Sequence, residues 1–341
     1  MVLFNKGPEF LMNKDVIPFI WNKIVIPVTT IVPVGSIFLS LIISYGLMEF
    51  VGVFMRPVMK PIWKTPGRSA IDAVASFVGS YSLALLITNR VYKEGKYTTK
   101  EAVIIATGFS TVSATFMVIV AKTLDLMDSW NLYFWLTVIV TFLVTAITAR
   151  IYPIRNKSDA YFENQEGDIE KDIPKDKFKV AFNEGMEVCA NSGSILENVI
   201  INLKDGVMLA FNIGPSLMAV GTLGIVLANH TPIFDWIGYL VYPFTLISGF
   251  EEPLLTAKAL ALGIAEMFLP AVLVTKLSFE VKMLVAITCV SEVLFFSASI
   301  PCMMATDIPI SFKDYLIIWF ERVVLSILVS IPLIYLVKVL I

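Results

Sequence analysis

What most limits the fold of this chain is a series of six apolar runs: Ile24 to Phe54, Val103 to Leu124, Leu132 to Ile151, Val207 to Leu227, Met283 to Met304 and Leu316 to Ile341. Each supplies the roughly 20 apolar residues that a helix needs to cross about 30 Å of hydrocarbon. Too little polar surface remains to cover them in water, since 57% of the 341 residues are hydrophobic and only 16% charged. Ordinary globular domains hold about 45–50% and about 25%. The sequence therefore predicts an all-α polytopic membrane protein that crosses the cell membrane several times.

Two further stretches are apolar enough to enter a bilayer but hold polar groups and helix breakers. Arg68 to Arg90 contains Asp72, Ser76, Gly79, Ser80 and Ser82, and Glu251 to Thr275 contains Lys258, Glu266, Gly263 and Pro270. Interrupted backbone at membrane depth is tolerated only where protein or a watery cavity covers it. Both are read as re-entrant hairpins of two half-helices, which makes about six full spans plus two hairpins.

Several function classes fall away. One histidine and three scattered cysteines cannot build a zinc site, and neither GxxxxGK[ST] nor GxSxG occurs. No enzyme chemistry and no cofactor are expected. The 26 basic and 28 acidic residues leave no basic excess for nucleic acid. Met1 to Phe10 lacks the apolar core of a secretory signal.

The polar stretch that follows Pro153 separates two halves of like order: span, hairpin, span, span. Val34-Gly35 aligns with Val220-Gly221 and Pro57 with Pro243 at an offset of 186, Gly79 with Gly263 at 184, and Thr107 and Ser110 with Thr288 and Ser291 at 181. The predicted divisions are an interfacial segment 1–23, a first repeat 24–152, a loop with an amphipathic helix over Phe178 to Asn202 within 153–202, and a second repeat 203–341. Three crossings per repeat force the second copy to enter the membrane inverted. Lysine and arginine agree with that: the loop at 55–68 carries four, its counterpart at 229–248 none. Eighteen of the 26 fall on the central loop's side, Lys313 and Arg322 among them, which predicts a cytoplasmic central loop. Inverted repeats with broken helices are a plan of secondary transporters, which bind solute near the midplane.

Ionisable groups at membrane depth are costly and mark candidate sites. Asp72 in the first hairpin has Ser76 and Ser80 on the following turns; it either contributes to a site or pairs with Arg68, four residues earlier. Glu266 follows the Gly263 break, as a solute- or proton-carrying carboxylate or as a helix cap, and Lys258 is expected to neutralise Glu251 or Glu252. Glu292 lies about one turn from Thr288, and its counterpart is Thr111, beside Ser110 in the hydroxyl-rich GFSTVSAT. Such hydroxyls can bind a polar solute, or simply let membrane helices pack closely.

The stretches GLMEFVG (Gly46 to Gly52), TPGRSAID (Thr65 to Asp72), YTTKEAVIIATGFSTVS (Tyr97 to Ser113), TPIFDWIG (Thr231 to Gly238) and AEMFLP (Ala265 to Pro270) run through nearly the whole chain. In them the chain resembles the YjiH-type bacterial inner-membrane proteins with nucleoside-recognition Gate domains. Members of that family carry further spans ahead of GLMEFVG, so the resemblance implies a shortened or divergent form. It also implies a transport-like module: a permease for a small polar solute, nucleoside-like in character, coupled to Na+ or H+. The competing expectation is a non-transporting scaffold like the spore maturation proteins, acting as a homo-oligomer or with a partner membrane subunit.

Overall fold

A computed structural model describes residues 7–13, 16–26, 29–30, 32–37, 45–78, 80–168 and 176–340. Residues 38–44 of the first apolar run, and Gly79 at the middle of the first hairpin, lie outside the described residues. Every regular element among the described residues is helical. The first half comprises α1 (Leu47–Trp63), α2 (Ala70–Val78), α3 (Tyr81–Lys93), α4 (Thr99–Gly108), α5 (Ala114–Thr123) and α6 (Trp130–Thr148). Two connecting helices follow, α7 (Lys177–Asn191) and α8 (Ile195–His230). The second half comprises α9 (Ile233–Ile247), α10 (Pro253–Leu262), α11 (Leu269–Leu273), α12 (Phe279–Ser291), α13 (Ser299–Met304) and α14 (Phe312–Leu340).

Both halves thus run in one order: a leading helix (α1, α9), a hairpin (α2/α3, α10/α11), a broken helix (α4/α5, α12/α13) and a long helix (α6, α14). The long helices pass the length and hydropathy test for crossing a membrane, over 127–148 and 312–338. Trp135, Ile139, Leu143 and Ile147 stay exposed on α6, and Leu316, Leu328 and Leu336 on α14. Side chains this apolar on an outer face put the molecule in lipid.

The structure differs from the sequence reading where local chemistry overrides hydropathy. The run Ile24 to Phe54 does not continue as one helix, because the chain turns at Gly46 (φ +77°) before α1 begins. Segments 55–68 and 229–248 are largely helical rather than loops. In α1 the buried positions Glu49, Gly52, Val53, Arg56 and Met59 recur at steps of three and four, which is one face of a helix. The runs Val103 to Leu124 and Met283 to Met304 are both interrupted, after Gly108 and after Ser291. The amphipathic helix ends at Asn191 rather than Asn202, because Ser194 accepts a hydrogen bond from Glu197 N at 3.2 Å and starts α8 there. Pro270 opens α11 instead of breaking a helix; in the first turn its missing N–H costs nothing.

The central connection is anchored on charges from the first half. Arg56 meets Glu184 of α7 at 3.4 Å and Arg68 meets Asp168 at 2.8 Å, while within the first half Lys96, between α3 and α4, meets the buried Glu49 of α1 at 3.1 Å. A Cβ built on Gly67 would lie 2.0 Å from the Gly52 carbonyl oxygen, so α1 and the turn at 67–69 pack backbone on backbone. Two of the quoted motifs, GLMEFVG and TPGRSAID, thereby touch. In a third, Thr98 and Glu101 form a reciprocal capping box that starts α4.

Candidate functional site

The interruptions of α4 and α12 fall where the sequence aligned the repeats. Residues 109–113 and 292–298 are non-helical, and the aligned pairs Ser110 with Ser291 and Thr111 with Glu292 border or occupy them. Backbone groups freed by a break need partners inside the protein.

In the second half the partners come from the hairpin. Phe296 N donates to Ile264 O at 2.6 Å and Ser297 N to Ala265 O at 2.9 Å, so the unwound segment lies against the α10/α11 connection. Val293 is held at φ +61°, a costly conformation for a β-branched residue. A Cβ on Gly263 would sit 2.4 Å from a Glu292 carboxylate oxygen, so only glycine lets the carboxylate approach the hairpin this closely. Glu292 is fully buried; Oε2 accepts from Trp319 Nε1 at 3.1 Å, while Oε1 has no hydrogen-bond partner among the described residues.

Arg322, also fully buried, reaches this break from α14. Its Nε donates to Ser291 O at 2.7 Å and its Nη1 to Thr145 Oγ1 at 3.1 Å, while Nη2 is without a partner among the described residues. Thr145 in turn shares its proton between Thr141 O at 2.7 Å and Gly108 O at 3.0 Å. One polar chain therefore runs from Gly108, at the break of the first half, through Thr145 of α6 and Arg322 of α14, to Ser291 at the break of the second. Ser326 extends it with a 2.7 Å contact to Ser291 Oγ.

The first half's break is held by neutral groups. Ser76 Oγ donates to Thr111 O and lies 3.5 Å from Thr111 Oγ1, which ties the first hairpin to the α4/α5 interruption. Ser110 Oγ is buried without a partner among the described residues. The two halves also touch through rings: Tyr81, at the start of α3, meets Phe295 edge-on at 5.8 Å between centroids, and Phe116 of α5 meets Phe268 at 6.2 Å.

The other sequence candidates carry out local duties. Asp72 accepts from Thr88 Oγ1 and from Tyr97 Oη, both at 2.7 Å, and so clasps α2 to α3 and to the turn before α4; Arg68 is turned to Asp168. Ser80 caps α3 through Leu83 N at 3.3 Å and contacts Ser82 Oγ at 2.9 Å. Glu266 accepts from Phe268 N at 2.7 Å and Leu269 N at 3.1 Å, which caps α11. Thr288 bonds back to Leu284 O at 2.8 Å within its own helix. Lys258 pairs with Asp235 at 2.8 Å and lies over the Tyr239 ring, away from Glu251 and Glu252.

Sequence reasoning missed Arg322, Thr145, Trp319 and Tyr97, and counted Arg322 with the cytoplasmic charges. The overlooked signal was its depth. Ten residues after Phe312, about 15 Å along a helix, is too far for an interfacial charge. Thr145 carried no such signal, since hydroxyls recur throughout α6.

Residues 25–127 match the Gate family, described as nucleoside recognition. Over 330 residues the chain is 32% identical to the uncharacterized protein BpOF4_10220 of Alkalihalophilus pseudofirmus, covering 96% of this chain and 71% of that one. Among solved structures, it is similar to CNTnw in an inward-facing substrate-bound state (TM-score 0.46, 12% identity, 89% of this chain and 74% of the other). An outward-facing state of a CNTnw variant gives TM-score 0.45 at 13% identity, over 90% and 74%.

Proposed function

The chain belongs to the family of the Alkalihalophilus pseudofirmus protein BpOF4_10220, and from that premise and its Gate region we propose that it is a secondary transporter or permease for a small polar solute of nucleoside-like chemistry. The solute binds between the hairpins, where the breaks of the two halves converge. The observation that carries this reading is the pair of bare atoms there. Glu292 Oε1 and Arg322 Nη2 are buried without partners among the described residues, and an unmatched polar atom at such depth is costly enough to call for a ligand, an ion or water.

A carboxylate acceptor beside a guanidinium donor suits a solute that offers both kinds of group, as sugar hydroxyls and base amides do. Glu292 is the coupling residue in this reading, taking up H+ or Na+ as solute enters. Ser110, with a free hydroxyl at the opposite break, supplies a neutral contact. Asp72, Ser76, Ser80, Thr111, Glu266 and Thr288 shape the hairpins and breaks around the solute. In keeping with the inverted repeat, each half rocks against the other with the central connection in the cytoplasm.

The reading is tested by uptake and binding in proteoliposomes over a panel of nucleosides, comparing wild type with Glu292→Gln. Saturable uptake of at least one nucleoside, lost in the variant while the protein stays folded, is the expected result. One observation favours the scaffold alternative: Asp72 and Glu266 spend their hydrogen bonds on the protein itself. Uptake and binding absent for every solute, with wild type and Glu292→Gln alike, would establish that alternative.

A further inference from the structure

Away from the breaks, a cavity of about 620 Å³ opens where the C-terminal ends of α1 and α6 meet the start of α4. Its lining holds five cations, Lys60, Lys64, Lys100, Arg150 and Arg155, and two carboxylates, Glu101 and Asp159. The carboxylates are already committed. Asp159 pairs with Lys100 at 2.8 Å, and Glu101 accepts from the backbone and hydroxyl of Thr98 at 2.8 and 3.0 Å. Arg150 is spent on helix-end carbonyls, reaching Pro61 O at 2.7 Å as well as Ile62 O and Ala146 O. Lys60, Lys64 and Arg155 remain as exposed charges with no carboxylate partner among the described residues.

Two apolar stripes end at the same place. On α1, Phe54, Val58 and Ile62 are exposed at steps of four residues, and on α6 Trp135, Ile139, Leu143 and Ile147 are exposed at the same step. Both stripes lead toward the ends that Arg150 joins. We propose that this cavity binds the headgroup phosphate of an anionic phospholipid, with the acyl chains laid along the stripes of α1 and α6. The match is of charge and polarity together: three spare cations for the phosphate, and lipid-facing side chains continuous with them. The inference rests on the membrane setting alone and stands whether or not the molecule transports.

The test uses the full chain, purified and delipidated in mild detergent, with phosphatidylglycerol or phosphatidylcholine added back and bound lipid counted by native mass spectrometry. Phosphatidylglycerol is expected to bind at least about tenfold more tightly, since each nearby cation adds about fivefold. Lys60→Ala/Lys64→Ala/Arg155→Ala is expected to remove most of that preference, and Lys60→Arg/Lys64→Arg to keep it. Lys122→Ala/Lys276→Ala/Lys313→Ala, with the same loss of charge elsewhere, is expected to keep it too. If the first triple variant does not purify, the single variants Lys60→Gln and Arg155→Gln carry the test with smaller losses. Equal binding of the two lipids, or equal losses in both triple variants, would overturn the proposal. So would full displacement of phosphatidylglycerol by millimolar inorganic phosphate, which would make the site one for a free anion.

Discussion

The two carboxylates Asp72 and Glu292 are both wholly buried, one in each half, yet their surroundings make them different devices. Both oxygens of Asp72 are taken by hydroxyl donors from other segments, whereas Glu292 has one oxygen on Trp319 and one bare among the described residues. Burial therefore does not separate a structural acid from a site; the count of unmatched oxygens does. A carboxylate with both oxygens engaged by the protein offers a ligand less than one with an oxygen left over, which is why the proposed site is built on Glu292 and Arg322.

The contrast breaks most sharply at Glu292 and Arg322. Arg322→Ala strips the donor from Ser291 O and from Thr145 Oγ1, and each buried group left unmatched costs about 1–3 kcal/mol. The largest fall in thermal stability of the detergent-solubilised protein is expected there, together with loss of any solute response. Glu292→Gln keeps the shape and the Trp319 contact, so it should hold stability within about 1 kcal/mol while removing solute-dependent stabilisation. A Glu292→Gln protein that still responds to solute would place the site elsewhere.

Gly263→Ala puts a methyl against the Glu292 carboxylate, and overpacking of this kind costs about 1–3 kcal/mol. Its solute response should fall with its stability, since the same contact sets both. Tyr97→Phe sharpens the comparison from the other side. It removes one of the two donors to the buried Asp72 and should cost about 1–3 kcal/mol with the solute response intact, as a clasp requires. Smallest is Thr98→Ala at the α4 cap, about 1 kcal/mol or less, visible as a lowered melting temperature and nothing else.

That the chain has two like halves was legible because hydropathy reports directly on which segments prefer lipid; the helix ahead of each hairpin was not, since α1 straddles the end of the first apolar run and α9 lies in a segment read as a loop. The hairpins were legible for a related reason: Ser and Gly inside an apolar run are conspicuous. Less could be read of where those runs stop. The break after Ser291 lies in CVSEVLFF, which holds no glycine or proline, and it exists because Phe296 and Ser297 find backbone partners at Ile264 and Ala265. Nothing local to the run announces such a pairing.

Of the candidate residues, Glu292 was found as an ionisable group inside an apolar run, and Thr111 as its counterpart in the repeat alignment, neither of which needs coordinates. Arg322 was hidden by its neighbours Lys313 and Glu321, which let it pass for part of a charged helix end. Residue type and spacing alone thus determined that this protein lives in a membrane, that it doubles one plan, and that Asp72, Glu266 and Glu292 lie at depth, because apolar length and repetition are properties of the chain itself. Which of those groups are satisfied was decided only by the tertiary structure. A hydrogen bond depends on two atoms meeting in space, and the partners of Asp72, Glu292 and Arg322 come from segments up to 177 residues away.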